Sequence, residues 1–150
     1  MSDFMTDKEL GELLNQLLEA ERAGAKLLAA WLDELPAQSP LYVPLRDVQR
    51  DEASNCAVLI ECLRGVGVEP SGRTGDFYAK ALPIRDWRER LEFLNRGQAW
   101  VGRRIAAALP RIQAPAARTA LQEMHDSHFA NIERCKELSA AADAAPRPGR

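Results

Sequence analysis

Four stretches of the chain carry apolar residues at alternating intervals of three and four positions, and this periodicity is the strongest constraint on the fold. It is the spacing of an amphipathic helix that buries one face in a bundle. The predicted helices cover residues 7–35, 41–65, 86–109 and 115–141, and no stretch alternates with the period of a strand. The sequence therefore predicts an all-α fold.

Signals at the helix ends support these boundaries. Thr6 and Glu9 have the spacing of a capping box, and Asp86 and Glu89 repeat it before the third helix. Ser39 is a candidate N-cap for the second helix. Prolines follow the first and third helices, and Gly65-Val66-Gly67 ends the second.

The lengths of the connections narrow the topology. Two short links and one link of about 20 residues, 66–85, indicate a hairpin, a crossover and a second hairpin, the arrangement of ferritin-like four-helix bundles. We expect Phe77, Tyr78 and Leu82 to pin the crossover to the bundle. The predicted domain is a bundle over 1–138, followed by a disordered tail over 139–150 rich in Ala, Pro and Arg.

Each predicted helix carries a polar residue on its apolar stripe, close to its midpoint. These residues are Glu21, Glu52, Gln98 and His128. Helix midpoints share one layer in an antiparallel bundle, so we expect the four side chains to meet at the centre. Gly24 follows Glu21 by one turn and predicts either a close helix approach or open space beside Glu21.

Glu52 needs an explanation for its burial, because burying an unpaired carboxylate costs several kcal/mol, roughly. It must be paired, protonated or bound to a metal. If hydrogen-bonded partners surround it, changing it alone to Leu should cost about 3–5 kcal/mol, since those partners are left unpaired.

Composition excludes several classes of protein. The net charge of −2 does not favour nucleic acid or an anionic membrane, and no apolar run approaches the length of a membrane span. The N-terminus lacks the apolar core of a signal peptide. Cys56, Cys62 and Cys135 form an odd set without metal-site spacing, which predicts reduced thiols and a cytoplasmic protein. The sequence leaves open whether the chain forms homo-oligomers and which proteins it binds.

Charge is unevenly spread along the chain. Residues 1–70 carry 6 basic and 13 acidic side chains, a net charge of −7, whereas residues 71–118 carry 10 basic and 4 acidic, a net charge of +6. Two helical hairpins with complementary surfaces would explain this pattern. A docking site for an acidic partner is the functional alternative.

Residues 10–138 resemble a branch of the ferritin-like superfamily, small bacterial proteins that carry a domain of unknown function. The matching stretches are Leu17-Leu18-Glu19-Ala20-Glu21-Arg22-Ala23-Gly24, Arg50-Asp51-Glu52-Ala53, Thr74-Gly75-Asp76-Phe77-Tyr78, Leu94-Asn95-Arg96-Gly97-Gln98 and Ser127-His128-Phe129-Ala130-Asn131-Ile132. The resemblance implies the fold, but the branch has no established activity to transfer.

The wider superfamily binds two metals through Glu, Glu-x-x-His, Glu and Glu-x-x-His on successive helices. Glu21, Glu52 and His128 match that pattern, and three positions depart from it. The departures are Asn55 at a His position, Gln98 at a Glu position and His125 at a Glu position. Two carboxylates balance one divalent ion, which argues against a di-iron centre and against oxidase or iron-storage chemistry.

Three hypotheses follow. The first is a degenerate polar network without catalytic activity, in which Gln98, Asn55, His128 or an inward Arg96 or Arg103 bonds the two glutamates. The second is a mononuclear iron, manganese or zinc site with a redox or stress-related role. Its ligands would be Glu21, Glu52 and His128, assisted by His125 or Gln98. The third is small-molecule binding in a polar cavity. No residue pair has the spacing of a nucleophile and its base.

Overall fold

The structure, a computed structural model, describes residues 3–143, with side chains through residue 139. It is all-helical, and the described residues contain no strand, which confirms the predicted fold class. The elements are α1 (Asp7–Leu32), α2 (Tyr42–Gly65), α3 (Phe77–Ala81), α4 (Trp87–Ala108), a single 3-10 turn (Leu109–Arg111) and α5 (Pro115–Asp143).

The structure confirms part of the predicted helix capping. Glu9 N–H donates to Thr6 Oγ1 over 3.1 Å and Thr6 N–H donates to Glu9 Oε1 over 3.0 Å, so the first capping box is complete. Asp86 accepts a bond from Glu89 N–H over 3.1 Å, without the reciprocal bond. The N-cap of α2 is Leu41 rather than Ser39, whose hydroxyl instead accepts from Leu41 N–H in the preceding turn.

Two apolar clusters occupy opposite ends of the molecule and reveal the helix directions. The first joins the start of α1, the end of α2, the end of α4 and the start of α5. The second joins the end of α1, the start of α2, the start of α4 and the end of α5. Thus α1 runs antiparallel to α2 and α4 antiparallel to α5, whereas α2 and α4 run the same way. The link between α2 and α4 therefore traverses the length of the molecule.

Helix α1 holds this link along its course. Asn15 donates from Nδ2 to the Glu69 carbonyl over 3.1 Å and accepts from Ser71 N–H over 2.7 Å. Arg22 donates to the carbonyls of Ser71 and Arg73. Further along, Gly75 N–H donates to the Glu19 carbonyl over 3.0 Å. Polar side chains of one helix thus satisfy the backbone of a segment that has no regular structure before α3.

The short helix α3 was not predicted. Its Phe77 ring stacks on Phe93 of α4 with centroids 4.7 Å apart, and Lys26 of α1 lies over the Tyr78 ring. These two aromatic residues anchor the link as expected. Leu82 does not, because its side chain is 41% exposed.

At the other end of the chain, α5 continues to Asp143, beyond the start of the predicted tail. Residues 144–150 of that tail lie outside the described residues. Between Asp3 and Asp143, no helix carries an apolar stretch long enough to cross a bilayer.

The three cysteines are free thiols. Burial is the main cause that raises the pKa of Cys56 to about 11 and that of Cys135 to about 12. Both side chains are therefore protonated at neutral pH when no metal is bound, which disfavours nucleophilic chemistry by these thiols.

Candidate metal centre

A buried polar layer separates the two apolar clusters on all four long helices. On α1, Glu21 lies between Leu18 of the first cluster and Leu27 of the second. The same change of cluster occurs on α2, α4 and α5 around the other members of the layer. The buried polar residues at these levels are Glu21, Glu52, Gln98 and His128, and Asn131 follows His128 by about one turn of α5.

Three of these side chains form a compact group of potential metal ligands. One oxygen from Glu21, one oxygen from Glu52 and one ring nitrogen from His128 all lie within 4.8 Å of one another. All three side chains are buried, and they come from α1, α2 and α5. The packing of three separate helices thus fixes the relative positions of two carboxyl groups and one imidazole.

Hydrogen bonds fix the orientation of His128. Its Nδ1 lies 2.8 Å from the Met124 carbonyl, which can only accept, so Nδ1 carries a proton. The other nitrogen, Nε2, faces Glu21, with 2.9 Å to Oε1 and 3.2 Å to Oε2. Asn55 donates from Nδ2 to Glu21 Oε1 over 2.8 Å and holds that carboxylate from the α2 side.

This pairing favours the protonated imidazole when no metal is bound. Burial, the largest single influence, acts to lower the pKa of His128. The hydrogen bond and charge of Glu21, with the Met124 carbonyl and Asp51, outweigh it, so the pKa is raised. When Nε2 is protonated, it donates to Glu21. A metal ion that binds His128 through Nε2 competes with this proton.

Glu52 lacks a comparable partner. Its side chain is 4% exposed, and within the described chain its buried Oε2 accepts no hydrogen bond. Burial, and then the charges of Glu21 and Asp51, raise the pKa of Glu52 well above its ordinary value near 4.5. The protein alone therefore favours the neutral carboxylic acid at this position.

The space for the Glu52 carboxyl group is provided by Gly24 on the neighbouring helix. A Cβ atom at Gly24 would overlap Glu52 Oε2 and would also meet Cδ and Oε1 at 2.8 and 3.0 Å. The glycine expected to mark a close approach or open space therefore makes room for a carboxyl group of α2.

The donor set fits a single divalent cation. Two donor atoms bound at about 2.1 Å lie roughly 3.0–3.4 Å apart at octahedral or tetrahedral angles, which is near the observed separation of Glu21 and His128. A rotation of the Glu52 side chain would close the remaining separation. Two carboxylates and a neutral imidazole balance the charge of one divalent ion.

The other sequence-predicted residues take different positions. His125 bonds Asp126 over 2.9 Å, packs its ring against Phe129 and lies outside the three-residue group. Gln98 is 2% exposed, and neither of its amide atoms has a hydrogen-bond partner among residues 3–139. Arg96 and Arg103 are exposed and do not bond the buried glutamates, so the expected inward arginine is absent from the described layer.

A cleft of about 790 Å³ connects the polar layer with the surface between α1, α4 and the link. Glu21, Glu52, Gln98 and His128 line it. Trp100 and Arg104, which also line the cleft, were not among the predicted site residues. A regular spacing of four along α4, through Arg96, Trp100 and Arg104, was the available signal, because such residues share one helix face.

Comparison with known proteins adds a family but no activity. Neither the curated proteins nor the solved structures contain a match to this chain. The sequence profile of a domain of unknown function, DUF6306, matches residues 8–137, which include α2, α4, most of α1 and α5 and every residue of the polar layer. This chain belongs to the DUF6306 family of domains of unknown function.

Proposed function

We propose that this protein is a ferritin-like four-helix bundle that binds one divalent transition metal through Glu21, Glu52 and His128. Support for the bundle comes from the two antiparallel hairpins and the link that runs the length of the molecule. Bundles of this type place metal ligands on facing helices at the centre of the core.

The unpartnered carboxyl group of Glu52 is the observation that carries the metal proposal. Its Oε2 is buried without a hydrogen bond, in space that Gly24 keeps open, and one oxygen of the same carboxyl group lies within 4.8 Å of donor atoms of Glu21 and His128. A polar network that served only stability would leave this oxygen at a cost of about 1–3 kcal/mol. A bound cation would satisfy it.

The surrounding contacts resemble the support that metal ligands usually have. Ligating imidazoles commonly donate their second N–H to a carbonyl, as His128 does to Met124, and ligating carboxylates are themselves hydrogen-bonded, as Glu21 is to Asn55. Mixed carboxylate and imidazole donors suit iron, manganese or zinc. Three protein donors are fewer than the four of a closed structural zinc site.

A purely structural polar layer is the second candidate. The observation that favours it is the Glu21–His128 pair, which is complete without a metal and is reinforced by Asn55. In that case the protein would be a helical scaffold without catalytic activity. The two candidates differ in whether Glu52 acquires a partner.

Elemental analysis of protein purified without chelator tests the proposal. We expect about one iron, manganese or zinc ion per chain. Protein stripped with chelator should bind one Mn²⁺ or Zn²⁺ in a calorimetric titration. The variant Glu52→Gln keeps the volume of the side chain but is a poorer ligand, and it should lose most of this binding.

Glu61→Gln is the matched control, since Glu61 is an exposed glutamate on the same helix. It should bind metal as the parent does. Absence of metal from the purified protein, together with an unchanged melting temperature when Fe²⁺, Mn²⁺ or Zn²⁺ is added, would leave only the structural candidate. Two tightly bound ions per chain would contradict a mononuclear site.

A further inference from the structure

The cleft between α1, α4 and the link is much larger than a metal site requires. Its volume of about 790 Å³ lies within the range of small-molecule pockets. The glutamates and histidine of the polar layer form only part of its lining. The remaining lining residues give the cleft its own chemical character.

Two arginines carry the unpaired positive charge of the cleft. Lys80 is neutralised by Asp76 at 3.0 Å and Glu19 also lines the cleft, whereas Arg96 and Arg104 make no ion pair within the described chain. Each guanidinium instead lies over an aromatic ring, Arg96 over Phe93 and Arg104 over Trp100. Arg104 also donates from Nη2 to the Gln16 side chain, and the other N–H groups of the two arginines can bind a carboxylate or phosphate.

Aromatic rings provide flat surface beside these arginines. The Trp100 side chain is 42% exposed, and it lies between Arg96 and Arg104 in a row spaced by four residues along α4. Phe77 and Phe93, stacked with their planes 30° apart, also line the cleft. An organic ligand with a planar ring could stack on these side chains while its charged group meets an arginine.

A buried amide gives an independent indication of a ligand. Gln98 lines the cleft with both its donor and its acceptor unpartnered in the described part of the chain. Gln98 is only 2% exposed. A polar group of a bound molecule would satisfy this amide.

We infer that the cleft binds a planar organic anion, with its ring on Trp100 and Phe93, its anionic group on Arg96 or Arg104, and a polar atom near Gln98. This inference goes beyond the proposed metal binding and does not depend on it. The charge of the arginines and the polarity of the amide are properties of the chain alone.

Two probes of the same shape test the charge requirement. Naphthalene-1-carboxylate and naphthalene-1-methanol are titrated into the full chain after metal is removed with chelator, and binding is followed by calorimetry and tryptophan fluorescence. We expect saturable binding of one carboxylate per chain. The neutral alcohol should bind about tenfold more weakly, because it lacks the charge-assisted hydrogen bonds.

Arginine variants then locate the site. Arg96→Gln with Arg104→Gln should weaken carboxylate binding about tenfold and leave the alcohol nearly unaffected. Arg103→Gln is the matched control, since Arg103 is an exposed neighbour on α4 that does not line the cleft. Gln98→Leu tests the amide and should weaken the carboxylate with the arginines intact. Thermal melting verifies that each variant is folded.

Several outcomes would overturn the inference. These are equal affinity for acid and alcohol, the same loss in Arg103→Gln as in the double variant, and no saturable binding at millimolar probe. Since the titration is made without metal, failure of the cleft proposal is distinguishable from failure of the metal proposal.

Discussion

At the scale of single residues, Gly24 and Glu52 are matched across the α1–α2 interface. The carboxyl group occupies the position that a Cβ atom at Gly24 would need. Glycine inside a helix is ordinarily about 1 kcal/mol less favourable than alanine. The chain bears this cost at Gly24, and the contact with Glu52 is the physical reason.

Gly24→Ala should therefore destabilise the protein by about 1–3 kcal/mol, as overpacking does in other cores. It should also weaken metal binding, because the added methyl group displaces the Glu52 carboxyl group. Denaturant unfolding and Mn²⁺ titration measure the two effects. Gly65→Ala, at the end of α2 with open space around it, should be neutral or slightly stabilising.

A double-mutant cycle isolates the cause. In a Glu52→Ala background the carboxyl group is gone, so Gly24→Ala should lose most of its cost. An undiminished cost in that background would show that something other than the carboxyl group excludes the methyl group.

The two raised pKa values at the centre predict how stability depends on pH. The fold prefers neutral Glu52, and this contribution is lost as pH rises from about 4.5 through the raised pKa. The fold also prefers charged His128, a contribution lost as pH rises from about 6.5 through its raised pKa. Both signs agree, so these groups lower the stability of metal-free protein as pH increases.

Melting temperatures measured with chelator between about pH 5 and 8 should fall more steeply in the parent than in Glu52→Gln, which cannot ionise. The stabilisation that added Mn²⁺ gives should instead grow with pH, because the metal competes with protons for the same ligand atoms. A chelated parent whose melting temperature rises relative to Glu52→Gln would contradict the raised pKa of Glu52.

Periodicity predicted which residues lie in the polar layer, because a side chain on the apolar stripe of a helix has to face the core. It did not predict the orientations within that layer. His125 is one turn from His128, yet it bonds Asp126 and faces a different direction. Likewise, the sequence left open whether Glu52 is paired, protonated or bound to a metal. Such choices depend on contacts between helices that a single sequence does not specify.

At the scale of elements, the long helices were predictable because their caps and stripes are local. The observed ends differ from the predicted ones by at most three residues. Helix α3 has only five residues and depends on tertiary contacts such as the Phe77–Phe93 stack. A helix this short is not stable by itself, so no local pattern could indicate it.

The link between α2 and α4 should lose protection from hydrogen exchange when the hydrogen bonds from Arg22 are removed. Arg22 is the side chain that donates to two of its carbonyls, those of Ser71 and Arg73. We expect Arg22→Ala to accelerate amide hydrogen exchange in residues 69–76 while the exchange of α2 and α5 is unchanged. Arg64→Ala, an exposed change at the end of α2, is the control. Uniform acceleration across all helices would indicate global destabilisation instead.

At the scale of the whole molecule, the polar layer interrupts what could be one continuous apolar core. Each end of the molecule has its own cluster, and the buried glutamates, Gln98 and His128 lie between the two. In this layer Glu52 Oε2 and both amide atoms of Gln98 have no hydrogen bond within the described chain. Local exceptions to the rules of a packed core are typical of a functional site.

The metal-free protein should therefore become no less stable when Glu52 is changed to Leu. For a Glu52 surrounded by hydrogen-bonded partners, the sequence analysis predicted a loss of about 3–5 kcal/mol. The buried Oε2 has no partner among the residues that the structure describes, so its removal leaves no donor unpaired. His128→Leu is the contrasting change. It leaves the buried Glu21 carboxylate with Asn55 alone and should cost about 3–5 kcal/mol.

Denaturant unfolding with chelator measures the free energy of unfolding of both variants. The same measurement with Mn²⁺ tests whether Glu52 binds metal. At 100 times the dissociation constant, the metal should add about 2.7 kcal/mol to the parent, or roughly 5–10 °C in melting temperature. Glu52→Leu should gain little, so the order of the two proteins reverses when metal is added. If Glu52→Leu costs more than about 3 kcal/mol without metal, Glu52 has a structural partner. The metal proposal would then lose the observation on which it rests, because a partnered Glu52 has no need of a cation.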